Sequence, residues 1–184
     1  AGFDVIGVTL SARAAQGLEE GSKIRSTHLH RLFHELETGR RELSGQTILV
    51  LDEAGMIGTQ MMEKLAALTA LSRSKLVLVG DHRQLQAIEY GAPFRGISER
   101  VGVAEMNEII RQRERWSRLT VSQFAEGRAA PALREYAKRG LLRVCKDRDT
   151  AIQQLVDDWI LENQSVADNQ IFAGSRLESF NVNQ

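Results

Sequence analysis

The sequence predicts an α/β fold of three layers with a mainly parallel sheet, and three observations predict it. Two runs, "TILVL" (47–51) and "KLVLVG" (75–80), are apolar at nearly every position, as strands covered on both faces are. Helix-patterned segments alternate with such runs, which gives a βαβ crossover over 47–81. Both runs stop at an aspartate, Asp52 and Asp81. In parallel sheets of this kind, ligands bind in the crevice beyond the carboxyl ends of the strands.

The elements follow in order. "DVIGVTL" (4–10) is a strand, and "SARAAQGLEEG" (11–21) a short helix with Ser11 as N-cap and Gly21 as stop. "HLHRLFHELETG" (28–39) places Leu29, Leu32, Phe33 and Leu36 at helical spacing and ends at Gly39. Thr59 caps "TQMMEKLAALTALS", whose Met61, Met62, Leu65, Leu68 and Leu71 lie on one side. "VAEMNEII" (103–110) reads as a further strand. "RQRERWSRLTVSQFAEGR" is a helix ending near Gly127, and "APALREYAKRG" a second one stopped by Gly140. "LLRVCK" (141–146) reads as a strand. "TAIQQLVDDWILEN" is a helix with a Thr150–Gln153 capping box and a stripe of Ile152, Leu155, Val156, Trp159 and Ile160. "QIFAGS" (170–175) looks like a strand that opens a new unit.

Bulk properties bound the function. The 184 residues suffice for one domain with a sizeable core, or a domain plus part of another. With 42% hydrophobic and 26% charged residues the chain reads as globular, and no apolar run approaches the ~18 residues of a membrane span. The 24 basic and 24 acidic residues argue against a generic basic coat for nucleic acid but leave room for a local basic groove. The lone Cys145 rules out an internal disulfide framework, fits a reducing cytoplasm and is read as inert. No secretory leader is visible, and the absence of an initial Met suggests a piece of a longer chain.

The chemistry concentrates at the two strand ends. An apolar strand running into Asp52-Glu53 has the form of a Walker B element. There the Asp holds magnesium through water and the Glu orients or deprotonates the attacking water. A buried strand ending in a solvated acidic turn would give the same letters. The second strand continues as "GDHRQLQ", so Asp81 and Gln84 stand one βα step later, where a glutamine can sense a terminal phosphate. Arg111 in "IIRQR" offers a planar fork suited to phosphate oxygens; the same run also suits an exposed helix face. Ser11 and Arg13, at a helix start, suit a phosphate and equally a plain capped helix. Trp116 could stack on a base, but its spacing from Leu119 favours packing, as does the stripe that holds Trp159. His82 lacks a neighbour at ligand spacing, so a metal role is not expected.

Taken together, "VTLSARAAQGL", "LVLDEAGMIG", "LVLVGDHRQLQAIEYGAPFR", "EIIRQRERW" and "FAEGRAAPALREYAKRGLL" resemble the motor core of superfamily 1B, RecD-like DNA helicases. Over roughly residues 3 to 178 the chain is similar to the helicase region of TraA-type conjugative relaxases. The resemblance implies a RecA-like P-loop NTPase fold that works with ATP and Mg2+ and moves 5′→3′ on single-stranded DNA in the cytoplasm. It assigns Asp52 to magnesium, Glu53 to acid–base catalysis, Asp81 and Gln84 to phosphate sensing, and Arg111 to an arginine finger in cis. It places Ser11, Arg13, His30 and Arg31 on DNA, the last two within "HLHRLF", where His28 stands in the family's usual Thr position. Implied partners are a relaxase domain in the same parent chain and the conjugation machinery. The implied domains are a first RecA-like domain over 1–110, a helical connection over 111–165 and the start of a second RecA-like domain over 166–184.

The phosphate cradle G-x-x-x-x-G-K-[ST] does not occur in these 184 residues, nor do the later motifs of a second motor domain. The chain therefore reads as an internal fragment of an ATP-dependent helicase, expected to be inactive alone. The alternative is a degenerate module that binds single-stranded DNA or a partner without turnover. Intact Asp52, Glu53, Gln84 and Arg111 weigh against it.

Overall fold

A computed structural model of the chain describes residues 2–81, 84, 91–106, 108–162 and 171–182. It divides into two compact units, Ala1–Asn107 and Glu108–Gln184.

The first unit is built on a four-stranded, wholly parallel sheet of order β2-β1-β3-β4. The strands are β1 (Asp4–Thr9), β2 (Ser26–His28), β3 (Thr47–Leu51) and β4 (Lys75–Leu78). Helix α1 (Ala12–Ser22) joins β1 to β2, α2 (Leu29–Glu37) follows β2, and α3 (Thr59–Leu71) joins β3 to β4. Helix α4 (Pro93–Val101) ends the unit, with Pro93 at its first turn.

Register explains the core. Ile6 pairs with Leu49 and Val8 with Leu51, so these four side chains share one face of the sheet. Leu29, Leu32 and Phe33 of α2 and Met62 and Leu65 of α3 close over that face, and all are buried. On the opposite face Leu18 of α1 comes down against Gly7. The expected two-sided cover is thus present over Ile6–Thr9 of β1. Towards β4 it thins: Val50 is half-buried and Val77 is 37% exposed.

Several local expectations change. Strand β2 and helix α4 were not read from the sequence: a three-residue strand leaves almost no periodic signal, and much of the segment leading to α4 lies among the undescribed residues. Helix α1 runs past Gly21 to Ser22, and Lys23 closes it in the left-handed conformation (φ 61°). Gly58, not Thr59, is the N-cap of α3, and Thr59 is its first helical residue. Residues 103–106 and 108–110 form no strand, and Val103, Met106 and Ile110 are exposed.

The second unit is helical: α5 (Arg115–Ala125), α6 (Ala129–Lys138), α7 (Arg148–Leu161) and α8 (Arg176–Val182). Helices α5 and α6 pack as a hairpin around buried Thr120 and Ala132, with Gly127 (φ 74°) in the turn and Gly140 (φ 68°) after α6. "LLRVCK" is irregular chain with Val144 92% exposed: a short apolar run is not enough to make a strand. Helix α7 is capped by Asp147, whose carboxylate accepts from the Thr150 N–H at 2.8 Å, so it starts before the expected Thr150–Gln153 box. Residues 171–175 are irregular and lead into α8; Gln170 lies outside the described residues. Among the described residues no helix is long and apolar enough to cross a membrane.

Candidate functional site

All four strands of the first unit point the same way, so their carboxyl ends line one edge of the sheet. The β3–β4 half of that edge carries the acids. Leu51 pairs with Leu78, and the chains stay bonded one step further: Val79 N donates to Leu51 O and Ala54 N to Val79 O, both at 2.8 Å. The tips bearing Asp52-Glu53 and Gly80-Asp81 therefore lie side by side.

The two loops approach backbone to backbone. A Cβ on Gly80 would stand 3.1 Å from Gly55 N, 3.2 Å from Ala54 N and 3.3 Å from the Phe94 ring. A Cβ on Gly55 would stand 3.3 Å from Asp81 O. Glycine at both positions is what lets the loops meet. Between them the chain makes an unusual turn: Glu53 is left-handed at φ 53°, ψ 40°, just before the 3-10 turn Ala54–Met56. A non-glycine residue held there costs roughly 1–3 kcal/mol of local strain, and such strain gathers at functional sites. The Asp52 Oδ1 accepts from the Glu53 N–H at 3.0 Å, which fixes the carboxylate against the turn.

Asp52 is half-buried, and Glu53, Asp81 and Gln84 are exposed. The Gln84 N–H bonds Asp81 O at 3.2 Å, closing a turn that keeps the glutamine next to the β4 tip. The acids are thus open to solvent at the strand ends and not sealed in a packed core. The donor chemistry fits magnesium, a hard ion that takes one or two carboxylates and keeps several waters. Among the described residues no group of three His, Cys, Asp or Glu side chains forms a fuller metal cage. His82 lies outside the described residues.

The β1–β2 half of the same edge carries the basic residues. Thr9 pairs with His28, so the starts of α1 and α2 are neighbours. The Ser11 hydroxyl caps α1 by accepting from the Ala14 N–H at 3.1 Å, and Arg13 is exposed in the first turn. His28 caps α2: its Nδ1 accepts from the Arg31 N–H at 3.3 Å. An imidazole thereby does the capping work of the expected Thr, a role the sequence did not disclose. His30 is exposed, and Arg31 is aimed by Glu35 at 2.7 Å. Arg41 reaches the other Glu35 oxygen at 2.8 Å. Hydrogen bonds from Arg31 and then Arg41 hold the Glu35 carboxyl below its ordinary range.

Arg111 belongs to the second unit, exposed on irregular chain ahead of α5; the next residue's carbonyl, Gln112 O, accepts from Arg118 at 3.4 Å. In the same unit Trp116 is not an open platform. Arg139 lies 4.3 Å over its ring, Tyr136 meets it edge-on at 5.5 Å, and its indole N–H bonds Glu114.

Comparison with known proteins gives the chain a family. Residues 1–147 match a protein family described as an AAA domain. Over all 184 residues the chain is 36% identical to a probable conjugal transfer protein TraA of Sinorhizobium fredii, and covers 17% of it. It is 39% identical over 161 residues, 86% of the chain, to the conjugal transfer protein TraA of Rhizobium radiobacter, covering 14% of that protein. Over 89 residues, 47% of the chain, it is 37% identical to the multifunctional conjugation protein TraI of Escherichia coli, covering 5% of it. The likeness to TraA-type proteins read from the motifs is thus borne out, while the chain spans only a small part of these relatives.

Proposed function

Because the chain belongs to the AAA domain family, we propose that it is the helicase-like region of a conjugative DNA-transfer protein, coupling ATP hydrolysis to movement on single-stranded DNA. The observation that supports the reading is the pair of adjoining strand tips, one running into Asp52-Glu53 and the other into Asp81 and the Gln84 turn, all of them at least partly open to solvent. Residues 1–110 form the first motor domain in this reading, 111–165 a helical connection, and 166–184 the approach to a second motor domain.

Each residue has a distinct task. Asp52 would hold magnesium, which when bound would supply Lewis-acid stabilisation of phosphate charge. Glu53 accepts the proton of the attacking water, and its left-handed backbone breaks the extended line of β3 at that residue. Asp81 and Gln84 read whether the terminal phosphate is present, and their tie to the Glu53 turn through Gly55 and Gly80 links sensing to catalysis. Arg111 stabilises charge that develops on the transferred phosphoryl group. Along the other half of the edge, Ser11, Arg13, His30 and Arg31 hold the backbone of the strand, helped by two adjacent helix N-termini. A cytoplasmic location, a relaxase domain in the same parent chain and contact with the conjugation machinery belong to the same reading.

The test uses a longer chain that adds a phosphate-binding loop upstream and the second motor domain downstream. ATPase is measured with and without single-stranded DNA. Stimulation by DNA, abolished by Glu53→Gln with nucleotide binding kept, is the expected result. The 184-residue chain alone is expected to give no turnover. Binding of DNA without ATPase in the longer chain would leave a binding module and overturn the motor.

A further inference from the structure

Glu35, near the end of α2, holds two arginines from different parts of the chain. One carboxylate oxygen accepts from Arg31 Nε at 2.7 Å and the other from Arg41 Nε at 2.8 Å. Arg31 stands one helical turn earlier, so its bond is an ordinary i, i+4 pair. Arg41 lies beyond the helix and needs a turn to come back. Gly39 supplies it at φ 67°, and the Arg40 and Arg41 N–H groups close on Glu35 O at 2.9 and 3.1 Å. The Glu35 side chain is only 15% exposed, against 27% for Arg41 and 66% for Arg31.

The charges of this cluster do not balance. Two guanidiniums share one carboxylate, and among the described residues no second acid pairs with either. A clip between helix and loop needs one arginine, and bringing a second beside the first adds repulsion. Each arginine also uses only its Nε on Glu35, and among the described residues its terminal nitrogens have no hydrogen-bond partner. Neighbouring guanidinium forks with free terminal N–H groups are a donor set for phosphate. Arg31 stands in the first turn of α2, on the half of the sheet edge where the reading above places the DNA backbone.

We propose that Glu35 is a positioning residue of the strand contact and Arg41 a second arginine in it: Glu35 sets Arg31 and Arg41 side by side so that their terminal N–H groups together hold one backbone phosphate. The inference rests on the proposed DNA contact and adds to it two residues that the family motifs quoted above do not include. Glu35 does not touch the strand. It acts by removing rotamer freedom that each long side chain would otherwise lose on binding. Its own charge works the other way, repelling a phosphate weakly in water and more weakly with salt. A Glu35→Gln variant therefore separates the two effects by the sign of the change.

The experiment measures fluorescence anisotropy of the 184-residue chain with a labelled oligo-dT strand over a series of salt concentrations, and the melting temperature of each variant. Arg41→Gln is expected to weaken binding roughly threefold to tenfold. It should also flatten the slope of log K against log salt by about 0.7, the share of one phosphate on a single strand. Glu35→Gln, with both arginines present, is expected to weaken binding by a similar factor and leave the slope unchanged. Arg40→Gln removes the same charge one residue away, where Glu35 does not hold the exposed side chain, and should stay within roughly twofold of the wild type. Tighter binding by Glu35→Gln overturns the positioning role, because the acid then acts only as a charge. A lower melting temperature for Arg41→Gln with binding and slope unchanged overturns the phosphate contact and leaves a structural clip. Equal losses in Arg41→Gln and Arg40→Gln overturn it too, since bare charge then suffices. In each of these cases wild-type binding leaves the DNA reading standing, whereas no binding by the wild type overturns both. If Glu35→Gln fails to fold, the affinity and salt slope of Arg41→Gln against Arg40→Gln decide.

Discussion

Replacing glycine by alanine at two positions of this chain should have opposite signs, and the structure supplies both. At Gly80 an added Cβ meets two backbone nitrogens, Gly55 N at 3.1 Å and Ala54 N at 3.2 Å, and a Phe94 ring carbon at 3.3 Å. Neither loop can yield cheaply, because Ala54 N is already bonded to Val79 O at 2.8 Å. Overpacking of this kind costs about 1–3 kcal/mol. The φ of Gly80 lies outside the left-handed region, so alanine gains ~0.4–1 kcal/mol by restricting the unfolded chain. The net expectation is a loss of about 1–2 kcal/mol. At Gly17, inside α1, an added Cβ meets nothing within 4 Å. There Gly→Ala should gain about 1 kcal/mol from helix propensity alone. Urea unfolding of the two variants beside the wild type reads both numbers. In the longer chain, Gly80→Ala should also lower kcat, since any shift of the Ala54–Gly55 backbone moves Glu53. A neutral or stabilising Gly80→Ala would refute the close contact of the two loops, and with it the physical link between phosphate sensing and Glu53.

Three further outcomes can be checked on the same chain. Leu49→Ala, at a side chain with no exposed surface under α2 and α3, should cost about 2–5 kcal/mol in denaturant unfolding. Ser11→Ala should cost about 1 kcal/mol through loss of the α1 cap, whereas Ser11→Asp should keep the cap and weaken single-strand binding by repelling phosphate. Glu35, held below its ordinary range by Arg31 and Arg41, contributes stability that is complete above the unfolded pKa of about 4.3 and is lost as pH falls through its lowered folded value. Unfolding midpoints of wild type and Glu35→Gln should therefore converge in acid below that range.

Much of the β3–β4 half of the candidate site was legible in the chain. "TILVLDE" and "KLVLVGD" announce buried parallel strands because few other environments accept such unbroken apolar runs, and an acid directly after each can only sit at the exposed end. Leu29, Leu32 and Phe33 likewise declare a helix face, and they became core. Where strands were expected at 103–110 and 141–146, the described residues are irregular chain, because a short apolar run does not by itself supply the paired neighbour that strand formation needs.

The amino-acid order by itself determined the elements whose signal is local: apolar periodicity, the Ser11 cap and the acids that follow β3 and β4. Only tertiary structure decided what depends on two distant segments meeting. It set Thr9 beside His28, so that two helix starts adjoin. It pressed Gly80 onto Gly55 and folded Glu53 into a left-handed turn. Each of these is a relation across 15 to 25 or more residues, or a strain that neighbours impose, and no window of sequence carries it.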